Sequence, residues 1–211
     1  MTNQLLYIMD PLCGWCYGFS PVMMKLQKEY SQFTVRIIPG DMMTGSRVQP
    51  MSAMSEYILQ AYHRVEEYSG VKFGEPYLDM LRDGTDINNS EPPCRAIYTF
   101  NLLKPEQSLA FAHELQLAYL LHGKSYNDEQ TYRNLAMHFD IDADAFIAQM
   151  NSEEARYGTQ QEFQWVQAAG ITGFPCLVLQ KDDKYYMVSQ GFQPYEGVAE
   201  TMKRILNDPN I

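Results

Sequence analysis

Two cysteines separated only by Gly14 and Trp15, namely Cys13 and Cys16, constrain this chain more than any other feature. They follow directly on Leu5-Leu6-Tyr7-Ile8-Met9, a short apolar run stopped by Asp10-Pro11, which reads as a buried strand with a breaker behind it. After the pair, Val22, Met23, Leu26 and Tyr30 recur at helical spacing, and Pro21 removes a backbone donor early in that helix and predicts a kink. Phe33 to Ile38 is rich in β-branched residues and closes at Pro39-Gly40, a second strand. Strand, cysteine turn, helix and strand make a βαβ unit with Cys13 where the helix begins. Unpaired backbone N–H groups and the helix dipole favour negative charge there, and the thiolate is the nucleophile of disulfide exchange. The spacing lets Cys13 attack a substrate disulfide and Cys16 resolve the mixed intermediate from one turn along.

The middle of the chain reads as several helices. Ser90-Glu91-Pro92-Pro93 is a helix start with Ser90 as cap, leading into Cys94 to Phe100. Pro105 and Glu106 open a helix whose apolar stripe runs from Leu109 to Leu121. Asp142 or Asp144 caps the next, and the helix from Ser152 stops at Gly170. The pattern then changes. Cys176-Leu177-Val178-Leu179 and Tyr185-Tyr186-Met187-Val188 read as two strands about an Asp182-Asp183 turn, and Tyr195 to Leu206 as a closing amphipathic helix. An α/β chain with a βαβ head, a helical middle and a ββα tail has the split order of a thioredoxin fold with a large all-helical insertion. The boundaries fall at residues 1–45, 46–170 and 171–211.

Composition narrows the partners. Sixteen basic residues against twenty-six acidic give a net charge of −10, with no Lys/Arg cluster to meet a phosphate backbone, so nucleic acid is excluded as a partner. With 45% hydrophobic and only 20% charged residues the chain can build a core. No window approaches the length of a membrane span, and the opening residues lack a secretory pattern. A cytoplasmic protein is expected, in a compartment where structural disulfides are uncommon. Four cysteines are too sparse for a disulfide framework. The rival reading of the pair is a metal site, but zinc wants four ligands at set spacing, and no second CxxC or paired histidine is present. No metal and no bound organic cofactor is expected. No basic residue lies between Asp10 and Pro21, so the potential is expected near the reducing or isomerase end, towards thioredoxin at about −270 mV rather than a strong oxidant at about −120 mV.

Asp10-Pro11-Leu12-Cys13-Gly14-Trp15-Cys16-Tyr17-Gly18-Phe19, with Thr172-Gly173-Phe174-Pro175 far downstream, resembles the DsbA-like thioredoxin superfamily, in particular its signal-less predicted protein-disulfide isomerases, related to FrnE-type oxidoreductases. The likeness covers nearly the whole chain. It implies that Cys13 is the nucleophile, Cys16 the resolving thiol, and Pro175 a cis-proline that turns the backbone of Phe174 toward the cysteines to pair with an extended substrate. It also implies an enzyme acting on protein or peptide disulfides, with glutathione or thioredoxin as electron partner. One departure is that threonine is expected after that proline, where this chain has Cys176.

Other residues carry two readings each. Cys176 and Cys94 are accessory thiols near the pair, Cys94 with a lowered pKa at a helix start, or else small core residues. Asp10 relays the proton lost by Cys16, or forms a turn before Pro11. Trp15 and Phe174 form an apolar patch for extended chains beside Gly14, or belong to the core. Met42, Met43, Met51 and Met54 line an adaptable groove or fill the interior. Two rival functions remain: a glutathione-dependent transferase or isomerase of the kappa-like type, whose members typically carry serine where Cys13 stands, and a non-catalytic thiol- or metal-binding protein.

Overall fold

A computed structural model of the chain describes residues 3–182 and 184–208. Asp183 of the expected hairpin turn, residues 1–2 of the first segment and residues 209–211 of the last lie outside them. Strand β1 (Gln4–Met9) is buried without interruption from Leu5 to Met9, the pattern of a strand covered on both faces. Helix α1 (Gly14–Glu29) runs on through Pro21, and β2 (Thr34–Pro39) returns parallel to β1 with Met9 opposite Pro39.

The middle is helical but not wholly so. A two-residue antiparallel ladder joins β3 (Gln49–Pro50) to β4 (Ile87–Asn88). It brackets α2 (Ser55–Ser69) and α3 (Glu75–Asp83). Next come α4 (Glu91–Leu103) and α5 (Ser108–Gln116), the latter entered through a 3-10 turn at Pro105–Gln107 instead of starting at Pro105. Helix α6 (Glu129–His138) and α7 (Ala143–Met150) follow, and Asp142, not Asp144, caps α7 by accepting from the Ala145 amide at 2.8 Å. Ser152 caps α8 (Glu153–Ala168) in the same way at 3.1 Å. Strands β5 (Cys176–Lys181) and β6 (Lys184–Gln190) form the hairpin, and α9 (Tyr195–Asn207) closes the chain.

The strands form one mixed sheet in the order β2-β1-β5-β6. Leu5, Tyr7, Met9, Ile37, Leu177 and Leu179 enter the larger core with α1 and α9, while Leu6, Ile8, Ile38, Cys176 and Val178 pack on Val166 of α8. The middle segment is therefore part of the body of the fold, because α8 supplies one of its two helical layers. It also guards an edge: the Asn101 side-chain amide donates to the Ile37 carbonyl of edge strand β2 at 2.8 Å. Stacked Phe100 and Phe111, with centroids 4.1 Å apart, anchor the core between α4 and α5.

One sequence reading is corrected at α4. Ser90 stands at the cap position but has helical backbone angles, and its side chain does not cap. Asn89 does that work, accepting from the Glu91 amide at 3.0 Å. The Ser90 hydroxyl is engaged elsewhere, as described next.

Candidate active site

Cys13 is the N-cap of α1, with extended backbone angles and a sulfur that accepts the Cys16 amide at 3.2 Å. The turn feeding it closes by a hydrogen bond from the Cys13 amide to the Asp10 carbonyl at 3.0 Å. The capping oxygen of an ordinary helix start is replaced here by sulfur, which receives one of the amides left open by the first turn. Cys13 Sγ also lies 3.7 Å from the Phe174 carbonyl, to which the thiol form donates. The Phe174–Pro175 peptide bond is cis.

Cys16 lies one turn inward and is fully buried. Burial pushes its thiol well above the usual range, and the hydrogen bond and charge of Cys13 push it further. The Asp10 backbone partly offsets this, while the Asp10 charge raises it. Tyr7 donates its hydroxyl to the Cys16 carbonyl at 3.0 Å. The two sulfurs thus occupy different surroundings, one at the rim and one sealed.

Asp10 forms the turn that one of its sequence readings expected, and its carboxylate is held by further donors. Its Oδ1 accepts the Leu12 amide at 2.9 Å, which is the turn, and the Ser90 hydroxyl at 3.0 Å, while Oδ2 accepts the Met42 amide at 2.9 Å. Nothing in the sequence marked it as fully buried. Burial raises its pKa to about 6 against those three hydrogen bonds, with the Asp41 charge adding to the rise.

A cavity of about 490 Å³ opens beside Cys13, lined by Asp41, Met42, Arg47, Gln167, Thr172, Gly173 and Phe174. Asp41 ties its walls together, pairing with Arg47 at 3.1 Å and accepting from Gln167 at 2.6 Å. On the other side Leu12, Gly14 and Trp15 meet Tyr57, Ile58 and Phe73 in a smaller apolar groove of about 150 Å³. Trp15 leans on Phe192 and Tyr68 at centroid distances of 5.3 and 6.3 Å. Of the methionines, Met42 lines the larger cavity, whereas Met43 and Met51 are core.

Cys94 is not a low-pKa thiol. It is buried, burial pushes its thiol well up, and its Sγ donates to the Gly40 carbonyl at 3.2 Å. Cys176, opposite Ile8 in the sheet, is raised by burial to about 11 and touches Met187 Sδ at 3.4 Å. Among the described residues no three His, Cys, Asp or Glu side chains are grouped to hold a metal, and no helix is long and apolar enough to cross a membrane.

Known proteins are similar to this chain over nearly its whole length. A putative protein disulfide isomerase from Nitrosomonas europaea superposes with a TM-score of 0.86, 29% identity and 98% of each chain covered. The cytosolic disulfide reductase DsbM from Pseudomonas aeruginosa gives 0.81 and 27% over 97% of this chain and all of its own, and a structure of it with GSH gives 0.78 and 26%, covering 96% of this chain and 99% of its own. Among curated proteins, the ClpXP adapter protein SpxH of Halalkalibacterium halodurans is 23% identical over 96% of this chain and 67% of its own length. The family model described as DSBA-like thioredoxin domain matches residues 5–203, and the chain therefore belongs to that family of thiol–disulfide oxidoreductases.

Proposed function

We propose that this protein reduces or isomerises disulfides of proteins or peptides through Cys13 and Cys16, in a reducing compartment, with a small thiol of the glutathione type returning the electrons. The observation that carries this reading is the helix-capping position of Cys13 Sγ, 3.2 Å from the Cys16 amide, beside an open cavity. A hydrogen bond donated to sulfur favours its anionic form.

Cys13 as thiolate attacks one sulfur of the substrate disulfide, forming a mixed disulfide and releasing the other half as a thiolate. Cys16 then gives its proton to the Asp10 carboxylate and attacks Cys13 Sγ, forming the Cys13–Cys16 disulfide and releasing the second substrate thiolate. The pair gives the substrate two electrons; the two released thiolates take one proton from Asp10, the one Cys16 gave up, and one from solvent. Two molecules of small thiol reverse the change and leave as their own disulfide. Pro175 and Phe174 form the backbone shelf beside the mixed disulfide, Trp15 and the apolar groove accept side chains of an extended substrate, and Gly14 keeps that groove open against Phe73. A Cβ on Gly14 would stand 3.3 Å from the Phe73 ring.

The reductive direction is supported by the absence of any cation between Asp10 and Pro21. The small-thiol partner is supported by the volume beside Cys13 and by the likeness to DsbM, solved with GSH. The test is insulin reduction together with trapping. Cys13→Ser abolishes turnover, whereas Cys16→Ser accumulates a mixed disulfide on Cys13. Trapping through Cys94 or Cys176, or a Cys13–Cys16 potential above about −150 mV, overturns the assignment.

A further inference from the structure

We infer that Ser90, delivered from the helical middle of the chain, is a positioning residue that holds Asp10 in the form able to take the proton of Cys16. This rests on the reading of Asp10 as proton acceptor given above.

Ser90 is fully buried, and its Oγ lies 3.0 Å from Asp10 Oδ1 and 3.0 Å from the Met43 amide. A backbone N–H can only donate, so the Ser90 oxygen must accept from Met43, and its single proton is left for Asp10. The Ser90 amide also donates to the Met43 carbonyl at 2.8 Å, which fixes the residue at both ends. The hydroxyl therefore serves as a donor of set direction rather than a rotor free to serve either form of the acid.

All three partners of the Asp10 carboxylate are donors: the Leu12 amide, the Met42 amide and Ser90. Each stabilises the charged form, and a protonated Asp10 would find no acceptor among them. The titratable groups facing Asp10 are Asp41 from the loop after β2, Cys16 of the pair, Cys94 of α4, and Tyr119 and Tyr126 beyond it. All of these are acids, and none offers a positive charge to keep the carboxylate ionised. Of the three donors, two are backbone amides that any residue would supply. Ser90 is the one side chain, set eighty positions along the chain from the acid it serves.

The experiment follows the two-phase release of thionitrobenzoate when the reduced protein meets one equivalent of Ellman's reagent. Capture by Cys13 gives the first phase and closure by Cys16 the second, read from pH 5 to 9. Ser90→Ala moves the rising limb of the second phase up by about one pH unit, roughly tenfold in rate at its foot, as expected for loss of one charge-assisted hydrogen bond. Ser90→Thr, which keeps the hydroxyl, restores the limb. In an Asp10→Asn background the limb set by Asp10 is gone, leaving only the rise at higher pH that follows the ionisation of Cys16 itself, and Ser90→Ala moves nothing further.

An unmoved limb in Ser90→Ala, or a shift that persists without Asp10, overturns the inference. If Asp10→Asn keeps the limb, the proton-acceptor reading falls and this inference with it. If Asp10→Asn loses the limb while Ser90→Ala leaves it in place, only the role of Ser90 falls. Should the alanine variant fail to fold, Ser90→Gly, which removes the hydroxyl and is tolerated at helix starts, is read by the same limb and the same criteria.

Discussion

The tip of the Phe174 ring lies against the bare backbone of Gly40, so close that a Cβ on Gly40 would overlap it. Gly40 ends the strand-to-loop passage after β2, and its amide donates to the Met9 carbonyl at 2.8 Å, so it cannot easily retreat. The contact seats the Phe174 carbonyl beside Cys13. Gly40→Ala is expected to destabilise the fold by about 1–3 kcal/mol through overpacking and to lower insulin reduction several-fold. Adding Phe174→Ala recovers the stability but not the turnover. Thermal melting and initial rates check both, and additive losses in the double variant would contradict the contact.

Differential burial of the four thiols sets their reactivity. Cys13 is 7% exposed, while Cys16, Cys94 and Cys176 are at 0% and burial pushes all three of these upward. Brief iodoacetamide treatment of the reduced native protein near neutral pH is expected to label Cys13 alone, and all four after denaturation. Peptide mass spectrometry reads the sites. Native labelling of Cys94 at a comparable rate would show that its surroundings open in solution.

Asp10 makes stability depend on pH in a definite direction. Its folded pKa of about 6 lies above the unfolded carboxyl value near 3.8, so between these the folded state binds more protons. Stability from this group is therefore greatest at the acid end and falls as pH rises from about 4 to about 6, by about 2–3 kcal/mol in the limit of full burial. Urea unfolding of wild type and Asp10→Asn at several pH values isolates the effect, because the difference between them changes only in that window. A flat difference would mean the carboxyl titrates normally.

Trp15 reports the state of the pair. It precedes Cys16 and contacts Phe192 and Tyr68, whereas Trp165 sits across the sheet on α8, 6.3 Å from Tyr185. Emission is expected to change on forming the Cys13–Cys16 disulfide, and Trp15→Phe to remove most of that change while Trp165→Phe retains it. Fluorescence of oxidised and reduced samples decides the matter.

What could be read without coordinates was local. The apolar run to Met9, the break at Asp10-Pro11 and the cysteine turn are adjacent in the chain, so their strand, turn and helix follow from short-range sterics and periodicity. The hairpin from Cys176 and the closing helix from Tyr195 were legible for the same reason. Two caps of the same chemistry separated along another line. Ser152 caps its own helix, as its neighbours dictate, whereas Ser90 gives its proton to Asp10 and accepts from the distant Met43 amide, leaving the Glu91 amide to Asn89.

The sequence alone therefore determined which sulfur begins a helix, which lies one turn along, and the succession of strands and helices along the chain at its two ends. Tertiary packing decided the environment of those atoms: the sealing of Asp10, the three donors that hold it, the seat of Phe174 on Gly40 and the layer that α8 adds behind the sheet. The division has a physical cause. Hydrogen-bond periodicity is set by neighbours in the chain, but desolvation and charge depend on which distant segments exclude water, and those meet only when the chain has folded.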